Sequence, residues 1–368
     1  MTEARPIIIA AGGTGGHFFP AEALAAELLK RGERVVLLTD ARSGGLNSPV
    51  FAKTEKYIVA GAGLAGRGWK RAGKGALSLL RGVMQARGLL LRLNPKTIVA
   101  FGGYPSVPPV AATVMLPGKK RPFVVLHEQN AVLGRANRFL SGFADLLALN
   151  FSGTRRLPQK IKTIVVGNPV RPAIARLYGL DYTPPEWNIE LLVVGGSLGA
   201  KVFSTLVPEA LAMLPETLRA RLRVSQQCRA EDIGAAQSAL QQAGIKAELS
   251  PFFKDVAGLL KRAHLVISRA GASSVAEIAV AGRPAILIPL PNAIDDHQRA
   301  NAEALAQAGG AVRLDQADLT PFLLAETIET LLMTPERLVT MAEASARLGE
   351  PRAAVHLADL VLQQGAHS

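Results

Sequence analysis

IIIAAGGTGGHFFPAEALAAELLKRG, residues 7–32, sets an apolar run against four glycines, a histidine and a helical pattern. Ile7, Ile8, Ile9, Ala10 and Ala11 read as a short strand buried on both faces. Gly12, Gly13, Gly15 and Gly16 permit a sharp turn and let a ligand approach bare backbone. Pro20 suits the first turn of a helix, and Ala23, Leu24, Glu27, Leu28 and Arg31 recur at helical spacing after it. Strand, glycine loop and helix together form an anion site, because free N–H groups and the helix dipole face the ligand. A structural turn with an incidental His17 is the plainer alternative.

The dinucleotide fingerprint is half satisfied. Gly13 and Gly15 supply its first two glycines, Phe18 stands at the third position, and Asp40 ends the run RVVLLTD where a ribose-binding acid would sit. A P-loop is excluded, since no Gly-Lys-Ser/Thr follows the turn.

Working outward, short apolar runs alternate with helical patterns along all 368 residues, which suggests about two domains. Strands are expected at 7–11, 35–39, 97–101, 123–126 and 164–166, then at 191–194, 224–226, 247–249, 265–268 and 285–288. That alternation predicts a parallel α/β architecture. The Pro-rich stretch YGLDYTPPEWN, 178–188, reads as the end of a linker. Directly after it the opening motif returns as ELLVVGGSLGAKVF, 190–203. Two similar halves are therefore expected, each starting with an anion-binding turn and facing the other across a cleft.

Composition narrows the classes. Cys228 is the single cysteine, so no internal disulfide and no cysteine-based zinc site can form, which fits a reducing cytoplasm. The chain enters its first strand without a signal-peptide pattern, and no apolar run approaches the roughly 18 residues a spanning helix needs. The net charge is +13 and unevenly placed: from Lys56 to His127 there is no acid at all. Lys56, Arg67, Lys70, Arg71, Lys74, Arg81, Arg87, Arg92, Lys96, Lys119, Lys120 and Arg121 crowd that stretch, interleaved with leucines, Val83, Met84 and Trp69. Basic plus aliphatic, without aromatic platforms, points to an anionic membrane surface rather than nucleic acid. A solvated basic face over a core helix is the alternative.

Polar groups gather at the expected strand ends. FGGYPSVPP (101–109) is a further glycine turn, VLHEQNAVLGRANR (125–138) places His127, Glu128, Gln129 and Asn130 beyond a strand, and VVGNPVRP (165–172) carries Arg171. In the second half, Ser197 stands at a helix mouth, either holding a diphosphate or capping the helix. LVISRAGASSVAEIAVAGRPAILIPLP (265–291) sets Ala272, Ser273 and Ser274 at a turn, with Glu277 one helical turn on. Glu277 could grip a ribose diol or serve only as a favourable acid in a first turn. DDHQRANA (295–302) brings Asp295, Asp296, His297 and Gln298 to the next strand end, groups suited to sugar hydroxyls or, less directly, to Mg²⁺.

In this order the motifs GGTGGH, FGGYPSVP, HEQN, GNPVR, GGSLGA, SRAGASSVAE and DDHQRANA resemble those of the MurG family, bacterial transferases of glycosyltransferase family 28. The resemblance implies a GT-B fold: two Rossmann-like α/β domains with parallel sheets facing across a deep cleft, here 1–166 and 167–350, with a helix near 351–363 packing back on the first. It implies an inverting enzyme moving GlcNAc from UDP-GlcNAc to the MurNAc 4-hydroxyl of undecaprenyl-pyrophosphoryl-MurNAc-pentapeptide, without cofactor or metal. Thr14, Gly15, Gly16, Asn130, Arg171, Ser197, Phe253, Ala272, Ser273, Ser274, Glu277 and Gln298 would take UDP-GlcNAc. Gly13, Gly102, Gly103 and Tyr104 would take the acceptor's pyrophosphate. His17 is the first candidate base and Glu128 the second. Residues 63–92 would dock the enzyme on the cytoplasmic face of the inner membrane. Two positions depart from the family pattern, Leu198 and His297, where glutamine is common. A UDP-GlcNAc 2-epimerase of the same fold, or a non-catalytic nucleotide-sugar or membrane-binding module, are the competing readings.

Overall fold

The computed structural model describes residues 4–13, 15–41, 48–60, 69–196 and 201–365, with the side chains of 69–74 and 365 outside that description. Thr14, Ser197 and Leu198 therefore lie outside the described residues, as do residues 61–68 of the basic stretch. Packing divides the chain into two units, Met1–Arg171 with Arg352–Ser368, and Pro172–Pro351.

Seven strands build the sheet of the first unit: β1 (Ile7–Ala10), β2 (Val35–Thr39), β3 (Glu55–Ile58), β4 (Thr97–Ala100), β5 (Phe123–Glu128), β6 (Leu146–Leu149) and β7 (Lys162–Val165). They pair in the order β3-β2-β1-β4-β5-β6-β7, every neighbour parallel. Ile7 to Ala10 are 0% exposed because helices cover both faces. Alternation sends Ile7 and Ile9 into one core with helix Gly15–Lys30 and the C-terminal helix Ala353–Gly365. Ile8 and Ala10 enter the opposite core with Ala86 and Leu90 of helix Trp69–Leu93. At Gly82 a Cβ would lie 1.9 Å from the Ala60 carbonyl oxygen, so this helix reaches its seat only with glycine there. Arg31 donates to Asp359 at 2.5 Å, fastening the C-terminal helix to the opening one.

The second unit holds β8 (Ile189–Val194), β9 (Leu222–Gln227), β10 (Lys246–Ser250), β11 (Leu265–Ser268), β12 (Ala285–Leu287) and β13 (Ala311–Arg313). Their order, β10-β9-β8-β11-β12-β13, repeats that of the first six strands of the other sheet, again all parallel. In each sheet the order reverses beside the strand preceding a glycine turn, β1 and β8. Open α/β sheets bind ligands beyond the carboxyl ends of strands at such a reversal.

Three strands were not expected from sequence: β3, β6 and β13. β5 also runs two residues past its expected end, so His127 and Glu128 belong to the strand itself. The opening helix begins at Gly15, which puts Pro20 inside it and His17 on its first turn.

Candidate active site

The first unit gathers four of its sequence motifs around His17. Gly13 adopts φ +86°, the left-handed turn that lets β1 feed directly into the helix. Gly15 and Gly16 then open that helix, where backbone N–H groups point out of the end. A Cβ at Gly15 would come within 2.8 Å of the Phe19 ring, so a side chain there would have to push that ring aside. The Arg171 guanidinium lies over the same ring, 5.2 Å from its centre. Arg171 is thus brought to the opening turn from the far end of the unit, and Phe19, unassigned by sequence, is the platform that holds it.

The second glycine turn follows β4. Gly102 (φ +82°) and Gly103 (φ +69°) both require the left-handed region. Ser106 Oγ, fully buried, donates to the Gly102 carbonyl at 2.8 Å and lies 3.2 Å from the Ala10 carbonyl, tying this turn to the end of β1. A Cβ on Gly103 would sit 3.6 Å from His17 Cδ2 and 3.8 Å from Nε2, so that edge of the imidazole faces the turn. Tyr104 is 39% exposed.

β5 delivers the third group. Glu128 is 2% exposed and accepts four hydrogen bonds. Oε1 takes Asn130 N at 3.0 Å and Asn130 Nδ2 at 2.9 Å; Oε2 takes Gly134 N and Asn137 Nδ2, each at 2.9 Å. A carboxylate so enclosed organises the turn after β5. Glu128, the second candidate base, thus presents both carboxylate oxygens to N–H donors of its own unit. Asn130, by contrast, is half-buried, with its orientation set by Glu128.

Gln129 joins β5 to His17. Its Oε1 lies 3.0 Å from His17 Nδ1, while its Nε2 donates to the Phe101 and His127 carbonyls, each at 3.1 Å. His127, fully buried, bonds through Nε2 to the Gly167 carbonyl at 2.9 Å. Burial pushes the His127 pKa down to about 4, against the opposing pull of the Gly167 carbonyl and the Glu128 charge.

That shift carries a sign for stability. The unfolded imidazole takes its proton near pH 6.5 and the folded one near 4, so the unfolded state binds more protons between these values. Stability is therefore flat above about pH 6.5 and falls on acidification toward pH 4. From pH 7.5 to 4.5 this group alone costs about 2 to 3 kcal/mol. Urea unfolding of the wild type and His127→Phe at both pH values isolates it, because contributions common to both proteins cancel. An equal acid loss in the two proteins would refute the assignment.

In the second unit, Gly196 (φ +84°) turns the chain after β8. Helix Ala272–Val280 follows β11, with Ser273 and Glu277 four residues apart on one half-exposed face and Ser274 adjacent. Ala272 is buried at the helix start. Gln298 opens helix His297–Gln307, and its Oε1 accepts the Leu290 N–H at 2.9 Å. The preceding loop holds Asn292, Asp295 and Asp296 at φ between 54° and 59°, conformations these short polar residues tolerate best. Phe253 is half-buried, whereas its neighbour Phe252 is 64% exposed. Arg269, assigned no role by sequence, is the organiser of this end. It donates to the Ile288 and Pro289 carbonyls at 3.1 Å and to Gln316 Oε1 at 2.7 Å, and lies over the Phe203 ring. Burial draws its pKa down to about 10, which leaves it charged at neutral pH. Asn301 Nδ2 donates to the Ala270 carbonyl at 3.0 Å, locking the DDHQRANA helix to the SRAG turn. Both residues stand in the motifs above, but their partners are distant in sequence, on the segments after β11, β12 and β13.

Comparison with known proteins follows the same two-unit division. The glycosyltransferase family 28 N-terminal domain matches residues 7–148, and the family's C-terminal domain matches 190–357. A Granulibacter bethesdensis protein, UDP-N-acetylglucosamine--N-acetylmuramyl-(pentapeptide) pyrophosphoryl-undecaprenol N-acetylglucosamine transferase, is 58% identical over 98% of this chain and 94% of its own. The Acidiphilium cryptum protein of the same name is 57% identical over 97% and 96%. The crystal structure of Acinetobacter baumannii MurG superposes with a TM-score of 0.76 at 30% identity, covering 98% of this chain and 99% of that one. A putative UDP-N-acetylglucosamine 2-epimerase from Listeria monocytogenes reaches a TM-score of 0.72 over 99% and 97%, but at 15% identity, so it shares the fold alone.

Proposed function

This chain belongs to glycosyltransferase family 28, and we propose from that premise that it transfers GlcNAc from UDP-GlcNAc to the 4-hydroxyl of undecaprenyl-pyrophosphoryl-MurNAc-pentapeptide, with inversion at C1. The observation that carries the chemistry is the imidazole edge of His17, held over the Gly103 turn at the mouth of the opening helix. The acceptor oxygen attacks C1 of GlcNAc as the bond from C1 to the UDP oxygen breaks, and the hydroxyl proton passes to His17 Nε2. Gly15 and Gly16 with Thr14 line the donor side, and the Gly13, Gly102, Gly103 and Tyr104 turns take the acceptor's pyrophosphate. Asn130, Arg171 and Ser197 hold the donor's GlcNAc and diphosphate. Ala272 to Glu277 and Phe253 hold the nucleoside, with Glu277 on the ribose diol, and Gln298 reads sugar hydroxyls.

The test is incubation with radiolabelled UDP-GlcNAc and a lipid I analogue. Label moving to the lipid through a new β-linkage is the expected result. A ManNAc-containing product without transfer would instead make the chain an epimerase, and donor binding without turnover a binding module.

A lipid acceptor requires docking on a bilayer. No helix among the described residues is long and apolar enough to cross one. Helix Trp69–Leu93 instead exposes Leu77 (69%), Leu80 (58%) and Met84 (48%) at helical spacing, beside exposed Arg81. Val114 and Met115 extend the apolar surface, joined to the helix by Arg87 Nε on the Met115 carbonyl at 3.3 Å. Exposed Lys119 and Lys120 follow in sequence. This surface meets the anionic cytoplasmic face of the inner membrane. Immersing part of each apolar side chain stabilises docking by about 1 kcal/mol apiece, and each nearby cation adds about as much. Leu77→Ser, Leu80→Ser and Met84→Ser together should weaken partitioning onto anionic liposomes by about 100-fold, measured by co-sedimentation. Wild-type partitioning of this triple variant would sink the surface.

A further inference from the structure

We infer that Gln129 and His127 are positioning residues that hold His17 as its Nδ1–H tautomer, presenting the Nε2 lone pair at the Gly103 turn. The purpose of that lone pair rests on the transferase reading above. The tautomer itself is a property of the free protein.

Acceptors that can only accept fix the whole chain of bonds. The Phe101 and His127 carbonyl oxygens, each 3.1 Å from one end of the Gln129 amide, must face its NH₂ group. The other end is then the oxygen, and it lies 3.0 Å from His17 Nδ1. An amide oxygen offers no proton, so Nδ1 must carry one, and in the neutral ring Nε2 does not.

The His127 ring adds a third acceptor on the same side. Its Nε2 lies 2.9 Å from the Gly167 carbonyl oxygen, so Nε2 holds the proton. Its Nδ1 is then an acceptor, 3.0 Å from the same Gln129 NH₂. The deeply buried ring stays neutral, because burial disfavours its charged form. Rotating the Gln129 amide by half a turn would press its oxygen against two carbonyl oxygens and a ring lone pair. Three acceptors therefore lie on one side of Gln129 and one donor on the other, and the run reads Gly167 carbonyl, His127, Gln129, His17.

The lock has something to oppose. A histidine side chain free in water prefers the proton on Nε2, which would blunt the edge that faces Gly103. The fold reverses that preference through Gln129, a residue only 1% exposed.

The experiment is a long-range ¹H–¹⁵N correlation spectrum of ¹⁵N-histidine-labelled protein at a pH where the rings are neutral. His17 should show a protonated Nδ1 and an unprotonated Nε2. Gln129→Met should move His17 toward the Nε2–H form, whereas His127→Phe, which leaves both carbonyls facing the Gln129 NH₂, should move it much less. The first variant is the sharper one, since the Gln129 amide oxygen is the group that faces His17 Nδ1. In turnover, Gln129→Met should lower kcat by about 10- to 100-fold while KM for UDP-GlcNAc moves less than about threefold. An Nε2–H ring in the wild type, or a His17 tautomer unmoved by Gln129→Met, would overturn the inference; the wild-type spectrum decides even if a variant fails to fold. The expected tautomer in a protein that transfers no GlcNAc would refute the transferase reading and leave the lock standing.

Discussion

His17→Ala should lower kcat for GlcNAc transfer by roughly 10²- to 10⁴-fold, the contribution of a positioned general base, with little change in UDP-GlcNAc binding. The expectation rests on where the ring sits. It rides on the first turn of the opening helix, half-buried, with Nδ1 on Gln129 and the Nε2 edge over Gly103. The donor's nucleoside and diphosphate are assigned to other groups, so truncation at Cβ removes a proton acceptor and leaves donor recognition in place. Steady-state turnover on a lipid I analogue, set beside calorimetric binding of UDP-GlcNAc, separates the two effects. A loss in affinity that matches the loss in turnover would make His17 a binding residue. Full turnover would remove it from the chemistry altogether.

The parts of this site that could be read from sequence are those carried by local pattern. Ile7–Ala11, Val35–Thr39 and Leu265–Ser268 announce buried parallel strands because nothing polar interrupts them. β3, Glu-Lys-Tyr-Ile, does not, because it is an edge strand whose side chains are largely exposed and polar. β13 is Ala-Val-Arg, three residues that end in a charge and so form no apolar run. The start of the opening helix was misplaced for a related reason. Glycine is a poor helix former, so Gly15 and Gly16 read as loop, yet the helix begins at Gly15 with the Phe19 ring lying close to its backbone. Non-local roles were the least visible. HEQN could be quoted as a motif, but the duty of Gln129 depends on His17, 112 residues away, and on the Phe101 carbonyl. Arg269 likewise reads as one more cation until the ends of β12 and β13 close around it.

Glu128→Gln distinguishes an organiser from a base, because the two roles fail differently. A base replaced by its neutral isostere leaves the fold intact and loses turnover. The structure implies the reverse order of damage. Oε1 and Oε2 each accept two N–H groups, and an amide can offer an oxygen to only one pair. Whichever way the new side chain turns, its NH₂ faces either Asn130 N and Nδ2 or Gly134 N and Asn137 Nδ2, donor against donor. Two hydrogen bonds to a charged group are lost in a site 2% exposed, where water cannot replace them. At about 1.5 to 3 kcal/mol each, the loss is roughly 3 to 6 kcal/mol, enough to lower the melting temperature of the first unit by about 10 °C. Turnover should fall with the loosening of Asn130, chiefly through a raised KM for UDP-GlcNAc. Thermal unfolding and steady-state kinetics on the same preparation decide the matter. A variant that melts with the wild type but has lost kcat would return Glu128 to the chemistry and take the organising role away from it.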